Sequence, residues 1–190
     1  MPLPRGSIKN GLQIRDALGK RPFSQRIQTI GRRLPRMTGA PIRLEHAPGL
    51  SDARGDVHAG SFLRERRIAF NCTAREFPRI FVHELFHFVW LRLGNSARRS
   101  WEDVMHAERL VCAHGELGWS AEWRQAALRP VDTRRRSRAW RLYCCESFCD
   151  TAAWMYSGVS RHAEFTLAGK YRTRRRNWFL ATIATRELSI

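Results

Sequence analysis

His83-Glu84-Leu85-Phe86-His87 carries the pattern His-Glu-x-x-His inside an apolar stretch, residues 80–93. Histidines at i and i+4 lie one above the other on one helix face, so both imidazoles reach a single metal ion. The glutamate between them reaches a water on that ion and can take its proton. His83, Glu84 and His87 are the only ionisable side chains from Ile80 to Trp90. Apolar residues surround them on nearly all sides, and a buried carboxylate is costly unless a metal or partner engages it. The chemistry that suits this set is hydrolysis by a zinc-activated water, with Glu84 as general base.

Two histidines leave a catalytic zinc short of its usual three protein ligands. A continuation with Gly and His three and six residues beyond the second histidine is absent; those positions hold Trp90 and Leu93. A later segment, LYCCESFCDTAAWMYSGVS from Leu142 to Ser160, offers an alternative. Its only charged residues are Glu146 and Asp150, which share a helix face at i and i+4. A metal and a histidine N–H would give two such carboxylates a reason to sit in an apolar helix.

HELFH followed by ESFCD resembles the gluzincin branch of the zincin metallopeptidases, the thermolysin-like pattern. The resemblance covers two helices and the strand before them. It implies that His83, His87 and Glu146 are zinc ligands, that Glu84 is the catalytic base, and that Asp150 orients His83. It also implies cleavage of a protein or peptide substrate, and an antiparallel edge strand beside the zinc helix that pairs with the substrate backbone. Such sites use a His, Tyr or Arg to stabilise the oxyanion. Tyr143, Tyr156, Arg161 and His162 flank or follow the ESFCD segment, and His162 is taken as that catalytic donor. The chain has 190 residues, with no room for the second lobe of thermolysin.

Rival third ligands are His106 and His114. A later His followed by Gly, here His114-Gly115, is reminiscent of SprT-like proteases, which act on DNA-bound proteins. No fixed offset marks either residue, so both read as structural. The charge bears on the same alternative. There are 34 Lys and Arg against 17 Asp and Glu, and every basic residue except Lys9, Lys20 and Lys170 is arginine. Runs at residues 134–141 and 172–176 fit phosphate or carboxylate recognition. An arginine-rich face could meet nucleic acid, an acidic protein or an anionic membrane surface, and the second reading is a nucleic-acid-associated zincin-fold protein, either an SprT-like protease or a regulator. A non-catalytic zincin-fold binding module is the third.

Five cysteines, Cys72, Cys112, Cys144, Cys145 and Cys149, do not read as a disulfide framework and point to a reducing compartment; Cys144 and Cys145, next to Glu146, read as small buried apolar groups, with a thiolate ligand as the alternative. The first twenty residues lack the apolar core of a signal peptide, and no apolar run is long enough to span a membrane. A cytoplasmic location is the expectation.

A length of 190 residues with 43% hydrophobic content supports one domain. Residues 1–21 are polar with Gly and Pro and read as a loose arm, leaving 22–190 as the zincin-like domain. Helices are expected over 23–34, 76–93, 137–156 and 173–187, with others beginning at Ser100 and Ser120. Strands are expected over 41–46, 57–63 and 67–71. The expected fold is α+β: a small, twisted, mostly antiparallel sheet on a helical body that carries the zinc helix.

Overall fold

The computed structural model describes residues 5–7, 13–16, 21–52 and 55–190. Among them the order is β1 (Arg5–Ser7), β2 (Gln13–Asp16), α1 (Arg21–Gly31), β3 (Met37–Thr38), β4 (Ile42–His46), β5 (Ser51–Asp52), β6 (Gly55–Asp56), β7 (Ala59–Phe62) and β8 (Arg67–Phe70). Helices α2 (Phe77–Arg92), α3 (Asn95–Leu110), α4 (Trp119–Ala127), α5 (Pro130–Arg134), α6 (Arg138–Tyr156) and α7 (Gly169–Thr182) follow, and β9 (Leu188–Ser189) closes the chain. The class is α+β.

The main sheet runs β1-β2-β4-β8-β7. It is mixed, which corrects the expectation of a mostly antiparallel sheet. β2 lies parallel to β4 and β4 parallel to β8, while the outer pairs β1–β2 and β7–β8 are antiparallel. Parallel neighbours need a crossover, and α1 supplies it between β2 and β4. Of the segment 1–21 expected as an arm, the described parts are β1, β2 and Arg21 at the start of α1, and Ile14 of β2 is buried in the main core. The rest of that segment lies outside the described residues.

Sheet and helices meet through aromatic rings. Phe70 of β8 sits 4.9 Å from Phe77 of α2, and Phe23 of α1 packs edge-on to Phe77 at 4.7 Å. Farther along α2, Phe86 meets Phe148 of α6 and Phe179 of α7. The α2–α6 pair makes the most extensive contact between any two elements. Helix α2 is buried along most of its length and α6 from Tyr143 onward, and there both are rich in apolar residues. Pro78 occupies the first turn of α2, where its missing N–H costs nothing. Ser137 caps α6 by accepting from the Trp140 N–H. Gly94 separates α2 from α3, so α3 begins at Asn95 rather than Ser100. Helix α7 starts at Gly169, earlier than expected, and ends at Thr182, leaving the chain end to pair as β9 with β3.

One polar cluster lies inside the helical body. Arg175 of α7 has no solvent exposure, and neither has Glu116 in the loop before α4. Its guanidinium donates to Glu116 Oε2 at 2.6 Å and to Glu108 Oε2 at 2.7 Å. Glu116 also accepts from the Tyr143 hydroxyl at 2.6 Å. Arginines 172–176 are therefore not a uniform solvent face: Arg175 clamps α3, α6 and α7 together. Changing Arg175 to Met leaves two buried carboxylates without their cation. The expected loss is about 3–5 kcal/mol of unfolding free energy, read from urea denaturation.

Candidate metal centre

Helix α2 lies beside α6 so that His83 and His87 face Glu146 and Asp150. His83 Nε2 is 3.2 Å from His87 Nε2 and 3.3 Å from Glu146 Oε2, and His87 Nε2 is 3.9 Å from the same oxygen. These three atoms form a triangle near the size one ion demands: ligand distances of about 2.0–2.2 Å at tetrahedral angles put donors about 3.3–3.6 Å apart, so two edges fit closely and the 3.9 Å edge would close by about 0.3 Å. His83, His87 and Glu146 could thus hold a metal between them. Glu84 is close at hand, its carboxylate within 4.8 Å of the imidazole ligand atoms.

Each member is held from behind. His83 Nδ1 donates to Asp150 Oδ1 at 2.7 Å, which leaves Nε2 free to face the triangle. The other Asp150 oxygen accepts the Ala121 N–H at 3.1 Å, so the carboxylate caps the first turn of α4. Gly118 permits this approach, since a Cβ there would overlap the Asp150 carboxylate. Arg124 of α4 donates to the second Glu146 oxygen at 3.1 Å. Ser61 of β7 places its hydroxyl 2.5 Å from Glu84 Oε2 and 2.8 Å from the Glu84 carbonyl oxygen, donating to one or the other. His87 Nδ1 faces two sulfurs, Cys145 and Cys149, each at 3.6 Å.

The charges follow from these contacts. Burial opposes the charge on His83, but the Asp150 carboxylate, with Glu146 and Glu84, raises its pKa well above the usual value. Burial opposes charge on His87 as well, yet hydrogen bonding and negative charge from Cys145, helped by Glu146, lift it to about 9. Glu146 resists burial through the His83 hydrogen bond and the nearby positive charges, which hold it at about 2. Asp150 is pushed up by burial, with His83 opposing. These contacts favour positive charge on the imidazoles and negative charge on Glu146. That is the charge pattern a divalent cation would replace.

The centre opens into a cleft of about 790 Å³. One wall is β7, the edge strand of the sheet, whose four residues all line it. The start of α4 also lines the cleft, with Trp119 and Trp123 exposed and the Arg124 guanidinium 4.2 Å from the Trp123 ring centre. Arg79, one turn before His83, lines the floor and grips Glu164 through both nitrogens at 2.8 and 2.9 Å.

The structure brings His83, Glu84, His87, Glu146 and Asp150 together. It does not bring His162, whose Nε2 pairs with Glu76 Oε2 at 3.1 Å, before the first turn of α2. Glu76 precedes Glu84 by eight residues, about 12 Å of helix rise, and His162 is not among the residues lining the cleft. His106 and His114 are exposed and line no part of the cleft, and His106 meets the edge of Trp140. Sequence reasoning passed over Ser61, Arg124 and the sulfur contacts of His87. Ser61 and Arg124 carry no local signal, because each meets its partner only through tertiary packing. The cysteine pair had a signal in its i, i+4 spacing. Comparison with protein-family models, curated proteins and solved structures finds no match for the chain.

Proposed function

We propose that this protein is a zinc-dependent metallopeptidase that hydrolyses peptide bonds with Glu84 as general base. The observation that carries the reading is the donor triangle of His83 Nε2, His87 Nε2 and Glu146 Oε2, with Glu84 beside it at the bottom of a cleft. Two imidazoles and one carboxylate are the donor set that zinc takes in hydrolytic sites with one position left open. Zinc held there would polarise the scissile carbonyl and acidify the attacking water.

The chain's own residues do the rest. Glu84 accepts the water proton and passes it to the leaving amine, steadied by the Ser61 hydroxyl. Asp150 keeps His83 in the tautomer that presents Nε2. Arg124 holds Glu146 and sets a guanidinium next to the triangle, where charge developing on the carbonyl oxygen would be met. The free edge of β7 suits an extended substrate backbone, pairing through main-chain hydrogen bonds. Trp119 and Trp123 in the cleft offer apolar faces to substrate side chains.

Atomic emission on the purified protein is expected to give one zinc per chain. Hydrolysis of an unfolded protein such as casein should stop with a zinc chelator and return with added zinc. Protein without bound metal and without chelator-sensitive cleavage would sink the reading.

Two further outcomes follow from the geometry. Asp150→Asn keeps the side chain's shape but weakens its grip on the His83 N–H, and zinc affinity is expected to fall about 10–100-fold in chelator competition. The proton competes with zinc for both imidazoles, since each holds it more tightly here than free histidine does. Affinity is therefore expected to rise with pH by about tenfold per unit for each proton displaced. Calorimetric titration should show the rise losing one proton's share of its slope as pH passes the His87 value of about 9.

The basic residues supply a weaker case for nucleic acid. Besides the buried Arg175, Arg136 pairs with Glu102 and Asp103, so neither arginine run presents all its charge to solvent. No helix among the described residues is long and apolar enough to cross a membrane.

A further inference from the structure

Helix α6 carries two i, i+4 pairs offset by one residue: Cys145 and Cys149, then Glu146 and Asp150. One residue of offset turns the second pair about 100° around the helix. The carboxylates serve the donor triangle and His83. The sulfurs converge on the other edge of His87, both 3.6 Å from Nδ1 and within 4.8 Å of each other. Nδ1 of His83 has a carboxylate partner at 2.7 Å. Among the described residues, Nδ1 of His87 meets these sulfurs, which are weak hydrogen-bond acceptors but strong ligands for soft cations.

We propose that Cys145 Sγ, Cys149 Sγ and His87 Nδ1 form a second metal site, selective for a soft monovalent ion of the Cu(I) type. Metal–sulfur bonds of about 2.3 Å and a metal–nitrogen bond of about 2.0 Å put sulfur and nitrogen about 3.5–3.8 Å apart, for angles from tetrahedral to trigonal. The observed sulfur–nitrogen separations of 3.6 Å need almost no adjustment. Three donors, two of them sulfur, suit a soft ion content with three ligands. Zinc in a closed structural site asks for four, and the described residues offer no fourth here.

Binding exchanges protons for the ion. Any protons carried by the two sulfurs and by Nδ1 leave to solvent, no electrons move, and the ring keeps Nε2 for the first triangle. His87 then bridges two cations as an imidazolate, so copper would pull on a ligand of the proposed catalytic zinc. The inference does not depend on that zinc, because neither His83 nor Glu146 contributes a donor to the sulfur site.

The test is Cu(I) titration without oxygen against a competing Cu(I) chelator, followed by X-ray absorption at the copper edge. The starting protein carries Cys112→Ser, which removes the exposed thiol. It is expected to take up one Cu(I) per chain with sulfur and nitrogen neighbours. Cys145→Ser and Cys149→Ser should each weaken uptake by more than about 100-fold, beyond what loss of an outer-shell partner causes. Glu146→Ala should lose zinc and keep copper, which separates this site from the metallopeptidase reading. Uptake unchanged by both serine variants overturns the proposal. So does copper lost on Glu146→Ala, which would put the ion in the first triangle. Should the fully buried Cys149 tolerate no change by circular dichroism, the partly exposed Cys145 decides the matter alone.

Discussion

Glu84→Gln is expected to retain zinc and fold while losing about 10⁴-fold in kcat on a peptide substrate. Glutamine keeps the length and volume of the side chain, and its carbonyl oxygen can still accept from Ser61, which lies 2.5 Å from the native carboxylate. What it lacks is a lone pair basic enough to take a proton from the attacking water. The donor triangle is untouched, because its atoms belong to His83, His87 and Glu146. Metal content and thermal stability should therefore match the parent protein while turnover disappears. Turnover preserved in Glu84→Gln would take Glu84 out of the chemistry. Zinc lost together with turnover would make it a ligand instead of a base.

Glu146→Ala should weaken zinc binding by more than about 100-fold, since removing a direct ligand exceeds the loss caused by an outer-shell partner. Two effects add. The ion keeps only the imidazoles of His83 and His87, and the Arg124 guanidinium, 3.1 Å from the missing carboxylate, is left facing them. A cation beside a cation site repels the ion. Glu146→Gln separates the two, restoring an oxygen donor without its charge, and should bind zinc between the alanine variant and the parent. Chelator competition reads all three. Full zinc occupancy in Glu146→Ala would require another ligand in the cleft, and His106 and His114 are outside it. The metallopeptidase proposal would then fall.

Why were the residues that meet in the donor triangle legible and others not? His83 with His87, and Glu146 with Asp150, are spaced by one helical turn, and helical spacing survives any later packing. Both pairs sit in segments apolar enough that charge there demanded a partner. The caps were equally local: Pro78 in the first turn of α2 and Ser137 before α6. His162 was different. Its choice rested on nearness in sequence to α6, whereas the chain after Gly158 carries it to Glu76. Arg175 sits in a run of basic residues that reads as solvent-facing, but two acids from distant parts of the chain, Glu108 and Glu116, make its burial affordable. The parallel pairing of β2 with β4 depended on a short polar segment lacking a strand pattern of its own.

Local order along the chain is enough to specify the two chemical helices, their ligand-bearing faces and the α+β class, because turn spacing and apolar content act over a few residues. Packing decided the remainder: which imidazole nitrogen meets an acid and which meets sulfur, that β7 forms the wall of the cleft, and that Arg124 stands behind Glu146. Those relations arise between residues tens of positions apart, held by burial of α2 against α6, and no spacing rule within either segment encodes how two helices rotate when they dock.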